Sequence, residues 1–298
     1  MLLRANHTCE VKLNVAGTDY GMDALTSLRV SRSAFGSGSP VPGLAPAGEL
    51  SVSLYADAAQ VPRMALLRPY VRLRSGSAFT EWVPRGSFYV DTREAESSGL
   101  LTLRAFDAML LAEQNYPSSS LTWPALDADV VAEIAATLGI SVDSRTTALM
   151  TAGFRIPLPA QYSMRETLKY IAALYGSSFV ISEQNALRLV CLWNLQNSAE
   201  LTIDTAHRMK HSPAFPACTG VRFLLDDQTE VFAGDETGYI YEMTCPWATQ
   251  AAATRCSPEC RASSTGLSPP RQRSSTRLTS WATPWTPAKA SPASGPLT

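Results

Sequence analysis

The chain is short of most things that mark a chemically specialised protein. Only three of its 298 residues are histidine, so imidazole chemistry has little to draw on. Neither sign of charge dominates: 25 basic and 26 acidic side chains leave a formal net charge of −1. The overall basic signature of a nucleic-acid binder is therefore missing. No apolar run reaches the ~18 residues that a membrane-spanning helix needs. Met1-Leu2-Leu3-Arg4 turns polar too soon to read as a secretory leader. The sequon Asn6-His7-Thr8 then has no glycosylation machinery to meet. Cysteines Cys9, Cys191, Cys218, Cys245, Cys256 and Cys260 are scattered rather than spaced as a disulfide framework, and they read as reduced thiols.

Motifs that carry chemistry are missing too. There is no G-x-x-x-x-G-K-[ST] phosphate loop, no G-x-G-x-x-G, no G-x-S-x-G elbow and no H-E-x-x-H. Gly36-Ser37-Gly38-Ser39 is followed by no helix start that would lend it a dipole, so it reads as a plain loop. His207 and His211 are four residues apart, with Asp204 and Cys218 near in sequence. Pro213 and Pro216 interrupt that segment, which reads as a solvated connector rather than a metal site. Cys256 and Cys260 fall in a stretch without periodicity. Asp226-Asp227 and Asp235-Glu236 sit where strands turn, the ordinary place for solvated charge. Arg271-Gln272-Arg273 lacks interleaved aromatics and does not read as a nucleic-acid site. No residue is assigned a catalytic, cofactor-binding or metal-binding role, and no cofactor is expected.

What the chain does have is 45% hydrophobic residues, enough for a sizeable core and roughly two domains. Alternating segments dominate the first part. Val11, Leu13 and Val15 share one face of 8–15, and 28–32, 50–55, 70–74, 88–91 and 101–106 alternate likewise. The last two pair across a turn at Glu94–Gly99. Gly36–Gly48 is rich in Gly, Ser and Pro and is expected to be exposed. After Pro117 the period changes. Asp127 is placed to cap a helix with Val130, Val131, Ile134, Ala135 and Leu138 on its apolar face, stopped by Gly139. Ser163-Met164-Arg165-Glu166 has the form of a capping box, opening a helix with Leu168, Ile171, Ala172 and Tyr175 and ending at Gly176. A hairpin of 179–181 with 187–190 follows. Strands return at 220–225, 230–233 and 238–243, with Gly234–Thr237 as the turn between the last two. Trp82, Tyr89, Tyr239, Tyr241 and Trp247 read as core or subunit-contact residues.

The fold class is α+β, mainly antiparallel β. It carries an inserted helix–helix–hairpin α+β subdomain and a disordered C-terminal tail. The divisions are 1–118, a β-barrel domain; 119–196, the α+β insert; 197–248, the incomplete start of a second β-barrel domain; and 249–298, the disordered tail, read below as out of frame. That tail is Ser, Thr, Pro, Ala and Arg without apolar period, holding Arg255, Arg261, Arg271, Arg273, Arg277 and Lys289 against Glu259 alone.

Four segments, in order, resemble one family. Glu81-Trp82-Val83-Pro84-Arg85-Gly86-Ser87-Phe88-Tyr89-Val90 is similar to the W-x-P-x-G-x-F-x-V strand opening of phage and prophage tail proteins of the tail-tip (baseplate) hub type. Leu103 to Leu110 resembles their A-Y-D-x-M step at the end of a first barrel. Tyr162 to Leu168, with Ile171, Ala172 and Gly176, resembles the [ST]-x-R-E-x-L-x-x-I-A-x-x-x-G helix of their insert. Gly234 to Tyr239 with Cys245 to Thr249 resembles the opening of a second barrel. The resemblance covers about residues 1–250. It implies a structural role in a virion tail, assembled in the bacterial host cytoplasm. The two barrel domains of three copies would alternate around a ring, joining the tail tube to the tip. The implied partners are further copies of the chain, a distal tail or tube protein, the tape measure and fibres. The resemblance implies no catalytic residues in this region.

The tail departs from the family, whose members continue through a segment of the form D-P-A-x-E-L-G-D-x-V. Read one nucleotide out of frame with suitable third bases, a gene for Asp-Pro-Ala-Tyr-Glu-Leu-Gly-Asp gives Thr276 to Thr283 of this chain. The junction of the Trp281 and Ala282 codons must encode Gly in the other frame, and that of Trp285 and Thr286 must encode Asp. These matches point to a frameshift between about Thr249 and Thr265. Two other readings stay open. A tail-associated cell-wall hydrolase would need a catalytic constellation, and none is legible before residue 250. A carbohydrate- or receptor-binding β module need not oligomerise, as a hub must.

Overall fold

The computed structural model describes residues 7–35, 41–191 and 218–257. Nine strands make the first sheet: β1 (Thr8–Val15), β2 (Thr18–Tyr20), β3 (Leu25–Ser31), β4 (Glu49–Tyr55), β5 (Leu66–Ser75), β6 (Ala78–Phe79), β7 (Val83–Pro84), β8 (Phe88–Ala95) and β9 (Leu100–Phe106). Their order is β2-β1-β5-β8-β9-β4-β3, with β6 and β7 also pairing with β5. Alternation explains the pairing. Leu50, Val52 and Leu54 of β4 stand opposite Ala105, Leu103 and Leu101 of β9, and all six are buried. Leu13 and Val15 of β1 share this core with Leu25 of β3, from the far end of the strand order. The sheet therefore curls on itself. Its ladder nevertheless stays open between β2 and β3 among the described residues.

The insert holds β10 (Ala125–Leu126), α1 (Asp127–Thr137), β11 (Ser141–Val142), α2 (Ser144–Leu149), β12 (Arg155–Ile156), α3 (Met164–Leu174), β13 (Ser177–Ile181) and β14 (Ala186–Cys191). All five apolar positions expected on α1 are buried, and Gly139 takes the left-handed φ of 68°. The Ser163–Glu166 capping box is present in both directions. Asp127 is a correction. It is the first residue of α1 rather than its cap, and Leu126 holds the cap position with no side-chain bond. The carboxylate of Asp127 instead accepts from the Tyr175 hydroxyl at 2.5 Å. Helix α2 has no counterpart in the sequence reading, because six residues are too few to reveal a 3.6-residue period.

A second correction concerns the Gly36–Gly48 loop. Positions 36–40 lie outside the described residues; of 41–48 half are buried and none is exposed. Gly43 N donates to Ser177 O at 2.7 Å, and Phe179 N donates to Leu44 O at 2.9 Å. Leu44 thereby bridges in parallel to Ser178. The backbone polar groups of the loop are satisfied by β13, which removes the need for solvent.

Strands β15 (Cys218–Leu224), β16 (Glu230–Gly234) and β17 (Tyr239–Thr244) form the last sheet, in the order β16-β15-β17. β17 pairs in parallel with β15 rather than as a hairpin with β16. The expected turn is a short crossover passing over the start of β15. Asp235 N donates to Thr219 O at 2.9 Å, and Thr219 Oγ1 donates to Asp235 O at 2.8 Å. The crossover needs glycine at both ends. A Cβ would lie 2.4 Å from Thr219 O at Gly234 and 2.4 Å from Thr219 Cγ2 at Gly238.

Order also runs past the expected limit at Thr249. Helix α4 (Gln250–Cys256) follows, with Thr249 Oγ1 capping Ala252 N. Ala252, Ala253 and Cys256 are buried in the core that also holds α1, α3, β13, Val221 and Phe223. Small side chains let α4 approach β15, β16 and α3 closely. That is why a stretch of Ala and Thr without a bulky apolar stripe still packs.

Candidate functional site

Most candidates for chemistry are absorbed by local structure. Asp227 accepts from Thr229 N and Oγ1, and Asp235 from Thr237 N and Oγ1. These bonds hold both carboxyls below the usual carboxylate pKa and fix them as turn residues. Asp226 accepts from the Tyr162 hydroxyl, and Glu236 pairs with Arg222 at 3.6 Å. Cys218 Sγ lies 3.1 Å from Gly220 O. Cys256 Sγ donates to Ala173 and Leu174 carbonyls at the end of α3. Burial pushes the Cys245 thiol up to about 12, far from a reactive thiolate. Among the described residues no group of three or more His, Cys, Asp or Glu is placed to hold a metal ion. No helix among them is long and apolar enough to cross a membrane. Asp204, His207, His211, Cys260, Arg271 and Arg273, and the glycine–serine run at 36–39, lie outside the described residues.

The chain does concentrate polar side chains where the sheet meets the insert. Arg32, just past β3, donates from Nη2 to Arg85 O at 2.7 Å. Arg85 in turn donates to Glu183, at the β13–β14 turn, with Nη2–Oε1 at 2.9 Å. Gly86 belongs to this joint: its φ is 109°, and a Cβ there would come within 2.2 Å of Arg32 Nη2. Arg165 of α3 donates to Ala45 O at 2.7 Å and pairs with Glu113. Asp107 is buried between these arms, accepting from Gly48 N at 2.7 Å and Met109 N at 3.0 Å. Burial raises its pKa to about 6, against the two amide bonds and the nearby Arg32 and Arg165 charges. This is the geometry of a fastening between two folded units.

No protein-family model matches the chain, and no curated protein matches it by sequence. Three of the solved structures it resembles are tail proteins. The tail protein from Neisseria meningitidis MC58 has a TM-score of 0.49 at 14% identity, over 83% of this chain and 73% of that one. The prophage MuSo2 43 kDa tail protein from Shewanella oneidensis gives 0.48 at 15%, over 87% and 79%. The prophage tail protein gp18 from Listeria monocytogenes EGD-e gives 0.44 at 7%, over 80% and 73%.

The aromatic residues singled out in the sequence divide between inside and outside. Tyr241 is buried, and Trp247 stacks edge-on with Tyr162 and Tyr170 between α3 and the last sheet. Tyr89 packs against the larger core, and Tyr239 lies edge-on to Tyr241. Trp82 is on the surface. Lys12 Nζ stands 5.1 Å from the Tyr70 ring and 5.2 Å from Trp82. The Arg72 guanidinium lies 4.4 Å from Trp82 and 4.3 Å from Phe79. Cations and rings thus alternate across β1, β5 and β6. Each contact contributes about 0.5–1 kcal/mol at an exposed site. Phe79 and Val83 remain about half exposed beside this ladder, at 49% and 47%. No sequence period announces the ladder, because its members come from three strands and a loop.

Proposed function

We propose that the chain is a non-catalytic structural component of a phage or prophage tail, acting at the tail tip as a hub between the tube and the distal tip or fibres. The observation that carries this reading is the role of the motif residues. In 81–90, Trp82 lies under Lys12 and Arg72, Gly86 admits Arg32, and Phe88 and Val90 are buried. In 103–110, Asp107 is the buried acceptor at the joint and Met109 is fully buried. In 162–176, Ser163 and Glu166 cap α3, Arg165 reaches Ala45, and Leu168 and Ile171 fill the core. Residues 234–249 make the β17 crossover and the cap of α4. Part of the motif set, Arg85, Gly86, Asp107 and Arg165, fastens the sheet to the insert, and the rest fills the cores or caps the helices. A part whose task is to hold shape needs such constraints.

On this reading three copies close into a ring through head-to-tail contacts, and the ring meets a tube protein, the tape measure and fibres. Light scattering of the purified full chain, with negative-stain imaging, tests it. Three-copy rings are expected, and a persistent monomer at about 50 μM would sink the hub assignment. We place the change of reading frame beyond Ser257, because the buried positions of α4 continue the core. Sequencing the gene from the Tyr241 codon onward tests this. A second open frame encoding Asp-Pro-Ala-x-Glu-Leu-Gly-Asp is expected, and stops in both other frames would overturn it.

A further inference from the structure

Between the nine-stranded sheet and α1 the chain runs past Tyr116 and Trp123, opposite Leu158 and Ala160 from the loop before α3. Together with Ser118 and Ser119 they line a surface cavity of about 310 Å³. The Tyr116 and Trp123 rings meet as a corner, with centroids 6.0 Å apart and planes at 78°. No cation among the described residues stacks on either ring, unlike Trp82 or Phe79.

The chemistry of the walls narrows the ligand. No lining side chain is charged, so neither a phosphate nor an ammonium group finds a counter-charge there. The carboxylate bound to this wall is Glu133 of α1, and it is already engaged. It accepts from the Tyr116 hydroxyl at 2.5 Å, from Ser119 Oγ at 3.0 Å and from Ser120 N at 3.4 Å. Those bonds lock the orientation of Tyr116 and Ser119 before any ligand arrives, which lowers the ordering cost of binding. Ser118 is exposed and presents a hydroxyl that can donate and accept. The volume lies at the lower end of the ~300–1,000 Å³ typical of small-ligand sites. The partly exposed Trp123 ring, set edge-on against the buried Tyr116, with an exposed Leu158 and serine hydroxyls at the rim, suits a small neutral molecule with one apolar face and polar edges.

We propose that this corner binds a neutral saccharide, one pyranose ring lying against Trp123 with its hydroxyls reaching Ser118 and Ser119. Saccharide binding and ring assembly are separable properties. One is read by titration and the other by oligomeric state, so either can fail alone.

The full chain is titrated with triacetylchitotriose, cellotriose and maltotriose to about 10 mM, following tryptophan emission and heat. At least one is expected to give a saturable response with a Kd of about 0.1–1 mM. Trp123→Ala should weaken it about tenfold or more. Trp123 also packs on the core, so a second variant is needed. Ala160→Trp fills the cavity from an exposed position and should abolish the response with an unchanged melting temperature. No saturable response to any of the three sugars overturns the proposal, as does a response that survives Ala160→Trp. Decaproline binding that the sugars fail to displace also overturns it, and would make the corner a groove for proline-rich peptide.

Discussion

The side chains buried beneath the nine-stranded sheet come from one stretch of chain, Leu13 to Ala105. Those of the larger core are gathered from Ala45, Met109, Ile134, Leu168, Phe179, Phe223 and Cys256. The first core is complete once its strands are in place. The second closes only when the insert, the last sheet, α4 and a loop from within the first sheet have all arrived. Proximity in sequence and membership of a structural unit are therefore different things here. Ala45 lies between β3 and β4 yet packs with α3.

The sharpest way to break the comparison is to open the second core alone. Phe179→Ala should cost about 3–5 kcal/mol and release the insert and last sheet together. Amide exchange should then rise in β13, β15 and α3 while β4 and β9 keep their protection. Uniform loss of protection would mean that the two cores are one cooperative unit. A chain stopped after Thr249 should lose about 2–4 kcal/mol, because Ala252, Ala253 and Cys256 no longer cover their neighbours. One stopped after Ser257 should stay within about 0.5 kcal/mol of the full chain. Urea melts of both would locate the end of the core.

The seam between the cores predicts a pH effect with a definite sign. Asp107 has a folded pKa raised from 3.8 to about 6, so the folded chain holds its proton more tightly than the unfolded one. Its contribution is fully present below about pH 4 and is lost as pH rises through about 6, on the order of 2–3 kcal/mol. Unfolding at several pH values should show this slope, and Asp107→Asn should remove it. Ser163→Ala should cost about 1 kcal/mol through the α3 cap. The smallest effect belongs to Glu183→Gln. The Arg85 pair is partly exposed and screened, so melting should report at most about 1 kcal/mol.

Legibility in the sequence follows the range of the interaction. The Ser163–Glu166 box spans three residues, and the buried stripe of α1 repeats within its own length; both are visible as pattern. The alternation of β4 and β9 gave their buried faces directly. The parallel seat of β17 was invisible, because a turn sequence says that the chain reverses, not which side of β15 it returns to. The 41–48 loop misled because Gly and Pro indicate irregular backbone, and irregular backbone is exposed only when nothing else satisfies it. Asp127 looked like a cap because its true partner, Tyr175, lies 48 residues away. At the candidate sites the same rule holds. The place of Asp227 and Asp235 in turns was readable locally, whereas the corner of Tyr116 and Trp123 with Leu158 requires the fold.

The Leu44–Ser178 bridge joins residues 134 positions apart. A ribosome adding about 5–20 residues per second completes β9 while Ser178 is still several seconds from being made. For that interval the 41–47 segment hangs from a sheet that is otherwise ready to close, its backbone amides bound to water. The fastening of the two units is thus written early in the chain and executed late. The order of synthesis places the slow, entropically costly closure at the joint and in the second core that Ala45 completes, rather than within the first core.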